Sequence, residues 1–232
     1  MKNIVNIPRH VGLILDGNRR WAKAHGLPSL EGHRRGYDNI KTIADYAFKR
    51  GVRILTIYAF STENWQREKR EVEYLLKLFR IFVTKELKIF KKREVKINFF
   101  GRRPDFDLNL QAGMKRAEQE TKKNTRGILN ICLSYGGRDE IVRAVKKIIS
   151  KKVAAAKISE ELIAANLDSA GLPDPDLIIR TSGEERLSGF LTWQSVYSEL
   201  YFTKVYWPDF KAQDFEIALK EYNRRSRRYG GN

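Results

Sequence analysis

A short segment near the start of the sequence places a carboxylate, a glycine and two arginines directly after an apolar run. Residues 10–21 read HVGLILDGNRRW. The apolar run, residues 11–15, has the length of a buried strand and stops at a turn signal formed by Asp16, Gly17 and Asn18. The turn is followed by Arg19, Arg20 and Trp21. Open α/β sheets bind their ligands at this position, beyond the carboxyl end of a strand.

These residue types suit a phosphate group bound together with a metal ion. An aspartate can hold Mg²⁺, a glycine lets backbone amides come close to a ligand, and paired arginines can donate to several phosphate oxygens. The segment therefore predicts a phosphate and metal site. The alternative is an ordinary strand-to-helix turn followed by a solvated, basic helix start.

Two later segments repeat this arrangement of a strand followed by polar residues. Residues 52–60 (VRILTIYAF) predict a buried strand, and residues 176–190 (DLIIRTSGEERLSGF) begin with a short one. The polar residues after them include Ser61, Asn64 and Arg67 in the first segment, and Arg180, Arg186 and Ser188 in the second. Parallel strands joined by right-handed crossovers bring such groups to one sheet edge. Two arginines with hydroxyls suit a diphosphate, which offers several oxygens at once.

Residues 68–92 predict a long helix with apolar side chains on more than one face. Such a helix is either buried in the core or a dimer interface, or it lines an apolar channel. The sequence does not decide which of its residues would face a channel; the candidates are Leu75, Leu78, Phe79 and Phe82.

The remaining pattern alternates strands and helices. Strands are predicted at 95–101, 128–137 and 204–210, and helices around 40–48 and at 107–123, 139–153, 159–168 and 211–224. This alternation predicts an α/β fold: a single three-layer domain over residues 1–232, with a mainly parallel central sheet flanked by helices.

Composition bounds the function without choosing it. The chain has 232 residues, a formal net charge of +17 and 42% hydrophobic residues. The charge fits nucleic acid, an anionic membrane surface or diphosphate substrates. A lone cysteine, Cys132, rules out an internal disulfide, and we see no run long enough for a membrane span and no signal peptide. We therefore expect a cytoplasmic protein.

Three other function classes compete with a diphosphate site. The sequence contains neither a GxxxxGK[ST] nor a GxGxxG motif, which disfavours an ordinary nucleotide site. A phosphohydrolase with an aspartyl nucleophile commonly has a second acid two residues later, but position 18 is asparagine. A nucleic-acid-binding protein would use the basic charge together with the aromatic residues Trp21, Trp65, Tyr222 and Tyr229. It would have no use for a helix that is apolar on two sides.

Several motifs resemble, in order and spacing, those of the cis-prenyltransferases, the undecaprenyl or dehydrodolichyl diphosphate synthase family. They are ILDGNRRWA, the pair Gly32–His33, YAFSTENWQR, SYGGRDEI, DLIIRTSGEERLSGF and WQSVYSELYFTKVYWPDF. The resemblance extends from about residue 10 to residue 231. It implies a homodimeric, Mg²⁺-dependent enzyme that adds isopentenyl diphosphate to an allylic diphosphate and so needs an apolar tunnel for its product. It also implies peripheral membrane contact and no nucleic-acid partner.

The resemblance assigns roles by position. Asp16 would assist diphosphate departure through Mg²⁺, and Glu199 would be the second acid of that site, supplied across the dimer. The other carried-over residues are Gly17, Asn18, Arg19 and Arg20 for the allylic diphosphate; Arg180, Arg186 and Ser188 for isopentenyl diphosphate; Arg67 for a phosphate; Trp21 for substrate binding; and His33, Ser61 and Asn64 for substrate placement and proton removal. The tail, residues 228–231, resembles one that reaches the partner's site.

Three positions depart from the common bacterial pattern. Ser29 stands four residues before His33, where an arginine is frequent; Arg19 replaces the second glycine of DGNGRW; and Gly189 stands where asparagine is frequent. The helical stretch 68–92 has no insertion of the sort tied to very long products. We therefore expect a polyprenyl chain of medium length.

Overall fold

A computed structural model describes residues 6–225 of the chain. The strands are β1 (His10–Ile14), β2 (Ile54–Ser61), β3 (Val95–Phe100), β4 (Gly127–Tyr135), β5 (Leu177–Arg180) and β6 (Glu199–Phe202). They form one sheet in the order β3-β4-β2-β1-β5-β6, and every neighbouring pair is parallel. The predicted parallel sheet is confirmed.

Helices flank this sheet, as the alternating pattern predicts. They are α1 (Asn18–Ala24), α2 (Ser29–Lys49), α3 (Lys69–Ile81), α4 (Leu87–Lys92), α5 (Leu108–Thr121), α6 (Gly137–Ser150), α7 (Glu160–Ala164) and α8 (Ala212–Arg224). A larger core takes apolar side chains from α2, α3, α5 and α8. A smaller core contains Tyr135, whose hydroxyl is hydrogen-bonded to Glu140 of α6.

The central strand β1 serves both cores, because successive side chains of a strand point to opposite faces. Val11 and Leu13 belong to the larger core and Ile14 to the smaller one. Gly12 leaves room for Phe190, since a Cβ there would lie 2.9 Å from that ring. An uninterrupted apolar run is therefore what a strand covered on both faces requires.

The register places the carboxyl ends of β1 and β5 side by side, and β2 runs on from the same level to Ser61. Ile14 of β1 pairs with Tyr58 of β2 on one side and with Arg180 of β5 on the other. The polar segments that follow these strands therefore leave the sheet side by side, as predicted.

The predicted strand at 204–210 is wrong. Residues Trp207–Asp209 form a 3-10 turn, and the last strand is β6, earlier in the chain. Pro208 cannot donate to a strand ladder, and the fully buried Trp207 donates its Nε1–H to the Gly36 carbonyl oxygen instead, at 2.8 Å. The predicted helix at 159–168 is shorter than expected, since α7 ends at Ala164.

The long helix at 68–92 is present but interrupted. A π-helical turn, Phe82–Glu86, separates α3 from α4. Among residues 6–225, no helix is long and apolar enough to cross a membrane.

Candidate active site

A cavity of about 800 Å³ opens at the ends of β1, β2 and β5 and continues between α2 and α3. Most of the predicted site residues line it: Asp16, Gly17, Asn18, Arg19, Arg20, His33, Ser61, Asn64, Arg67, Arg180 and Ser188. Three others, Trp21, Arg186 and Glu199, do not. The sequence thus predicts a set of residues that the fold largely brings together.

An ion pair between Asp16 and Arg180 lies at the mouth of this cavity. Arg180 Nη2 donates to Asp16 Oδ2 at 2.8 Å, and Arg20 Nη2 lies 3.3 Å from Asp16 Oδ1. Burial acts to raise the pKa of the Asp16 carboxyl group, but hydrogen bonding to Arg180 and the charges of Arg180 and Arg20 outweigh burial and hold that pKa below its usual range. Asp16 is therefore an ionised carboxylate between two guanidinium groups.

Gly17 allows the chain to turn sharply between Asp16 and α1. Its φ of +104° lies in the left-handed region, and a Cβ there would come within 2.9 Å of Ser182 and Tyr206 atoms. Both the backbone conformation and the close packing require glycine. The turn also fixes the Asp16 carbonyl oxygen, which accepts from Thr181 Oγ1 at 2.7 Å and from the Trp207 amide at 3.0 Å.

Asn18 is held by the close approach of α1 to α2. A Cβ on Gly32 would lie 2.0 Å from the Asn18 carbonyl oxygen, and one on Gly36 would lie 2.3 Å from Asn18 Oδ1. Asn18 Oδ1 is buried, and within the described chain it has no hydrogen-bond partner. Because buried polar atoms are usually paired, this oxygen is available to a donor that enters the cavity.

Glu71 organises three basic residues around the mouth, although the sequence did not single it out. It accepts from His33 Nε2 and from Arg67 Nη1, each at 2.9 Å, and Arg19 Nε lies 3.9 Å away. Burial lowers the pKa of His33, and the Glu71 carboxylate opposes that shift only in part. The pKa of Glu71 is also lowered: burial would raise it, but His33 and Arg67 outweigh burial. A neutral His33 therefore donates to an ionised Glu71, which fixes the tautomer of the ring.

Asn64 and Ser61 hold each other at the end of β2. The Ser61 backbone amide donates to Asn64 Oδ1 at 3.1 Å, and the Ser61 side chain in turn accepts from the backbone amide of Asn64. This capping box starts the 3-10 turn Thr62–Gln66. Both residues line the cavity, so they combine a local structural role with access to a ligand.

The segment after β5 surrounds Arg180 with oxygen atoms. Arg180 Nη1 donates to Ser188 Oγ at 2.9 Å and to the carbonyl oxygen of Arg186. Ser182 and Ser188 adopt left-handed backbone conformations, with φ of +81° and +50°. Such strain in residues other than glycine is typical of functional sites.

A second acid that the sequence analysis overlooked, Glu184, bridges two arginines. Its Oε1 accepts from Arg20 Nη1 at 3.0 Å, and its Oε2 accepts from Arg186 Nη1. The Arg186 side chain is 62% exposed and lies outside the cavity. Glu184 therefore links a residue predicted for one diphosphate with a residue predicted for the other.

Trp21 and Glu199 lie away from the cavity lining. Trp21 is buried and stacks on His25, with ring centroids 4.2 Å apart. Glu199 pairs in register with Leu177, at the start of β5, whereas Asp16 follows the other end of the sheet. Glu199 Oε2 accepts from Arg225 Nη1 at 2.9 Å. One chain therefore does not bring Glu199 to Asp16, and residues 228–231 lie outside the described residues.

Asp16 fits a magnesium ion that is shared with a substrate. In residues 6–225 there is no cluster of three or more acidic, histidine or cysteine side chains that could hold a metal alone. Mg²⁺ does not need such a cage, since it keeps several waters and is bound through one or two carboxylates and substrate phosphates. The half-buried Asp16 carboxylate, beside arginines that can hold phosphate, supplies this donor set.

The interior of the cavity is apolar. Leu75, Leu78 and Phe79 of α3 line it, opposite Tyr37 and Ile40 of α2. Phe82 instead packs in the core, with ring centroids 5.3 Å from Phe90 and 6.3 Å from Phe99. The helix that is apolar on two sides therefore does both: Leu75, Leu78 and Phe79 line the cavity while they pack with the larger core, and Phe82 packs in the core without lining the cavity.

Comparisons with known proteins show which family the chain is similar to. The model of the family described as "Putative undecaprenyl diphosphate synthase" matches residues 14–230. An isoprenyl transferase of Brucella abortus is 48% identical over 229 residues, which cover 97% of this chain and 90% of that protein. A ditrans,polycis-undecaprenyl-diphosphate synthase, (2E,6E)-farnesyl-diphosphate specific, of Legionella pneumophila is 43% identical over 228 residues, covering 97% and 96% of the two chains. The crystal structure of lavandulyl diphosphate synthase from Lavandula x intermedia, in complex with dimethylallyl diphosphate, has a TM-score of 0.93 and 34% identity, and the match covers 97% of this chain and 99% of that one.

Proposed function

The chain belongs to the undecaprenyl diphosphate synthase family of isoprenyl transferases, and we propose that it condenses isopentenyl diphosphate with an allylic diphosphate to make a cis-polyprenyl diphosphate. The observation that carries this proposal is one cavity with a cationic mouth and an apolar interior. A diphosphate requires the cationic mouth, and a growing hydrocarbon chain requires the apolar interior. The reaction breaks the allylic C–O bond, joins the freed carbon to the double bond of isopentenyl diphosphate and releases a proton.

The allylic diphosphate binds at the turn after β1. Arg19 and Arg20 donate to its oxygens, while Gly17 lets the backbone approach and Asn18 completes the pocket. Arg20 already lies between two carboxylates, Asp16 and Glu184, so its guanidinium is oriented before the substrate arrives. Fixed donors of this kind stabilise the charge that develops on a departing diphosphate.

Isopentenyl diphosphate binds after β5, at Arg180, Arg186 and Ser188. Arg180 is 5% exposed and fixed by Asp16 and Ser188, whereas the Arg186 side chain extends towards solvent. We infer that Arg186 turns inwards when the diphosphate replaces its contact with Glu184. The two arginines therefore have different tasks: Arg180 orients and Arg186 captures.

We assign proton removal to His33, which with Ser61 and Asn64 forms the polar cluster between the two diphosphates. Because Nε2 of His33 donates to Glu71, the lone pair of its other ring nitrogen, Nδ1, is free to accept. Ser61 and Asn64 place the second substrate near this ring. Arg67 binds a phosphate oxygen and is oriented by the same Glu71.

Magnesium binds at Asp16 in this proposal. When bound, it would neutralise negative charge on the departing diphosphate. Asp16 also keeps Arg180 and Arg20 in place, so its carboxylate has a role on both sides of the site.

A homodimer completes the site. We propose that Glu199 and the tail, residues 228–231, act at the active site of the partner subunit. The position of Glu199 at the far end of the strands supports a role outside its own site. The chain carries a net charge of +17, which supports peripheral contact with an anionic membrane from the cytoplasm. A product of medium length remains a prediction.

Mixed dimers test the crossing tail. One subunit lacks residues 228–232 and is otherwise intact, and the other carries Asp16→Ala and keeps its tail. We expect such dimers to regain about one working site, since the intact Asp16 then meets the partner's tail. Verified mixed dimers without activity would show that the tail does not serve its partner.

A condensation assay tests the proposed function itself. The purified protein is incubated with labelled isopentenyl diphosphate, several allylic primers and Mg²⁺, and the products are chromatographed. We expect labelled polyprenyl diphosphates that disappear in EDTA. Salt-sensitive nucleic-acid binding without condensation for any primer would overturn the proposal.

A further inference from the structure

An ion pair joins two helices just beyond the far end of the apolar cavity. Ile40 is the last residue of α2 to line the cavity, and Phe79 is the last of α3. One residue past Ile40, Lys41 Nζ lies 3.0 Å from Oε1 of Glu86, the last residue of the π-helical turn. The pair therefore ties α2 to the neighbouring helical segment where the cavity stops.

Two oxygen atoms in and beside this ion pair have no hydrogen-bond partner in the described part of the chain. Glu86 Oε2 and the Tyr37 hydroxyl are both buried and have no hydrogen-bond partner among residues 6–225. Tyr37 lines the cavity, and Lys41 Nζ lies 5.4 Å from the centroid of its ring. An unpaired buried oxygen costs free energy, so two of them at the end of an apolar channel call for a functional explanation.

The helix opposite α2 changes its winding at the same level. The π-helical turn Phe82–Glu86 begins three residues after Phe79. Within it, Thr84 Oγ1 donates to the Arg80 carbonyl oxygen at 2.6 Å. Single π turns within α-helices are frequent at functional sites, and they are places where a helix bends. Phe82, the first residue of the turn, packs in the larger core against Phe90 and Phe99.

We propose that Lys41 and Glu86 form a latch, with the π-helical turn as its hinge, and that this latch limits how far the product tail extends. This inference rests on the proposed function, since only a growing polyprenyl chain would press on this end of the cavity. When the latch opens, the turn moves away from α2 and carries Phe82 with it. The gap between the helices then continues past Phe79 and admits further isoprene units.

An ion pair suits this role better than an apolar contact would. The Lys41 and Glu86 side chains are 25% and 15% exposed, so water can solvate both charges when they part. Apolar side chains at both positions would pack against each other and hold the helices together, whereas one uncharged side chain opposite the remaining charge would not.

Substitutions that remove the charge but keep the bulk test the latch. Lys41→Met has a similar length without a charge, and Glu86→Gln does the same for the other partner. In the condensation assay, we expect both variants to shift the main product by at least one isoprene unit towards longer chains. Lys41→Arg keeps the ion pair and should give the distribution of the wild type.

Arg80→Ala is the matched control. It removes an ion pair of the same helical segment, Arg80 with Asp107 at 2.6 Å, which joins α3 to the start of α5 rather than to α2. We expect no change in product length. Hydrogen exchange provides a second measurement: amides of the π-helical turn should exchange faster in Glu86→Gln and remain as in the wild type in Arg80→Ala.

The outcomes separate the latch from the proposed function. A wild-type protein that makes no condensation product overturns both. A wild-type protein that makes polyprenyl diphosphates, with the same distribution in Lys41→Met and Glu86→Gln, overturns the latch alone. Longer products with unchanged exchange in the turn would contradict the hinge.

Discussion

The mouth and the interior of the cavity are held in shape by different forces. At the mouth, Asp16, Glu71 and Glu184 each bind two or more basic side chains that come from separate segments of the chain. In the interior, Leu75 and Phe79 are held by packing within α3 and the larger core. The mouth depends on charges that fix one another, whereas the interior depends on shape.

This difference has a consequence for substrate binding. A diphosphate that enters the mouth meets arginines whose directions are already set by carboxylates, so little ordering remains to be done. The same carboxylates compete with the diphosphate for the arginines. The interior offers no such competition, because a hydrocarbon tail gains free energy wherever it leaves water. Substitutions at the two ends should therefore fail in different ways.

Asp16→Ala should have the largest effect. The carboxylate acts on charge that develops as the bond breaks, so we expect turnover to fall by several orders of magnitude with a smaller change in substrate affinity. Steady-state kinetics with saturating substrates measure this. A variant within about tenfold of the wild type, about 1.4 kcal/mol, would remove Asp16 from the mechanism.

Arg180→Ala and Arg186→Ala sharpen the comparison within the mouth. Each removes a charge-assisted contact of roughly 1.5–3 kcal/mol, and both should raise the KM for isopentenyl diphosphate more than that for the primer. The buried Arg180 also holds Asp16, so Arg180→Ala should lower kcat as well. Arg186 is exposed, and Arg186→Ala should leave kcat unchanged. Equal effects on both substrates would mean that the wrong diphosphate is assigned to this strand end.

Leu78→Trp tests the interior. The larger side chain should block the tail and leave the diphosphates untouched, which shortens the products while the first condensation continues. Leu219→Trp is the control, because Leu219 of α8 is fully buried in the larger core and does not line the cavity. We expect it to lower the melting temperature through overpacking. Unaltered products with Trp placed in turn at each of Leu75, Leu78, Phe79 and Phe82 would show that the helix serves as core alone.

Glu71→Gln should give a smaller, directly measurable change. His33 titrates below its ordinary pKa of 6.5 because it is buried, and the Glu71 carboxylate opposes this shift. Removing the negative charge should therefore lower the pKa of His33 further, so the ring stays neutral to a lower pH. NMR titration of the ring protons measures this, with Arg80→Ala as the unaffected control. A pKa that rises in Glu71→Gln would contradict the arrangement.

Much of the mouth could be predicted from the sequence because its residues follow strands. A buried strand is visible as an apolar run, and parallel pairing then brings the ends of such runs together, which placed Asp16 beside Arg180. Glu71 and Glu184 were not predicted as site residues, because each lies in a charged stretch whose sequence looks like an ordinary solvated surface. The spacing of Arg67 and Glu71, four residues apart, was the available signal.

For the interior, the sequence left open whether the long helix is buried or lines a channel, because an apolar residue type does not indicate what its side chain contacts. Leu78 and Phe82 are one helical turn apart in the sequence and both belong to the larger core, yet Leu78 lines the cavity and Phe82 does not. The π-helical turn that begins at Phe82 was not predictable from periodicity, because the extra residue shifts the phase of the apolar pattern without breaking it.

A side-by-side product analysis tests most directly the claim that one cavity combines a reactive mouth with an apolar interior. Wild type, Asp16→Ala and Leu78→Trp are incubated with labelled isopentenyl diphosphate, an allylic primer and Mg²⁺, and the products are separated by length. We expect long products from the wild type, almost none of any length from Asp16→Ala, and short products formed at a normal first step from Leu78→Trp. The claim would be contradicted if Asp16→Ala made shortened chains at a normal rate, or if Leu78→Trp lost the first condensation while remaining folded.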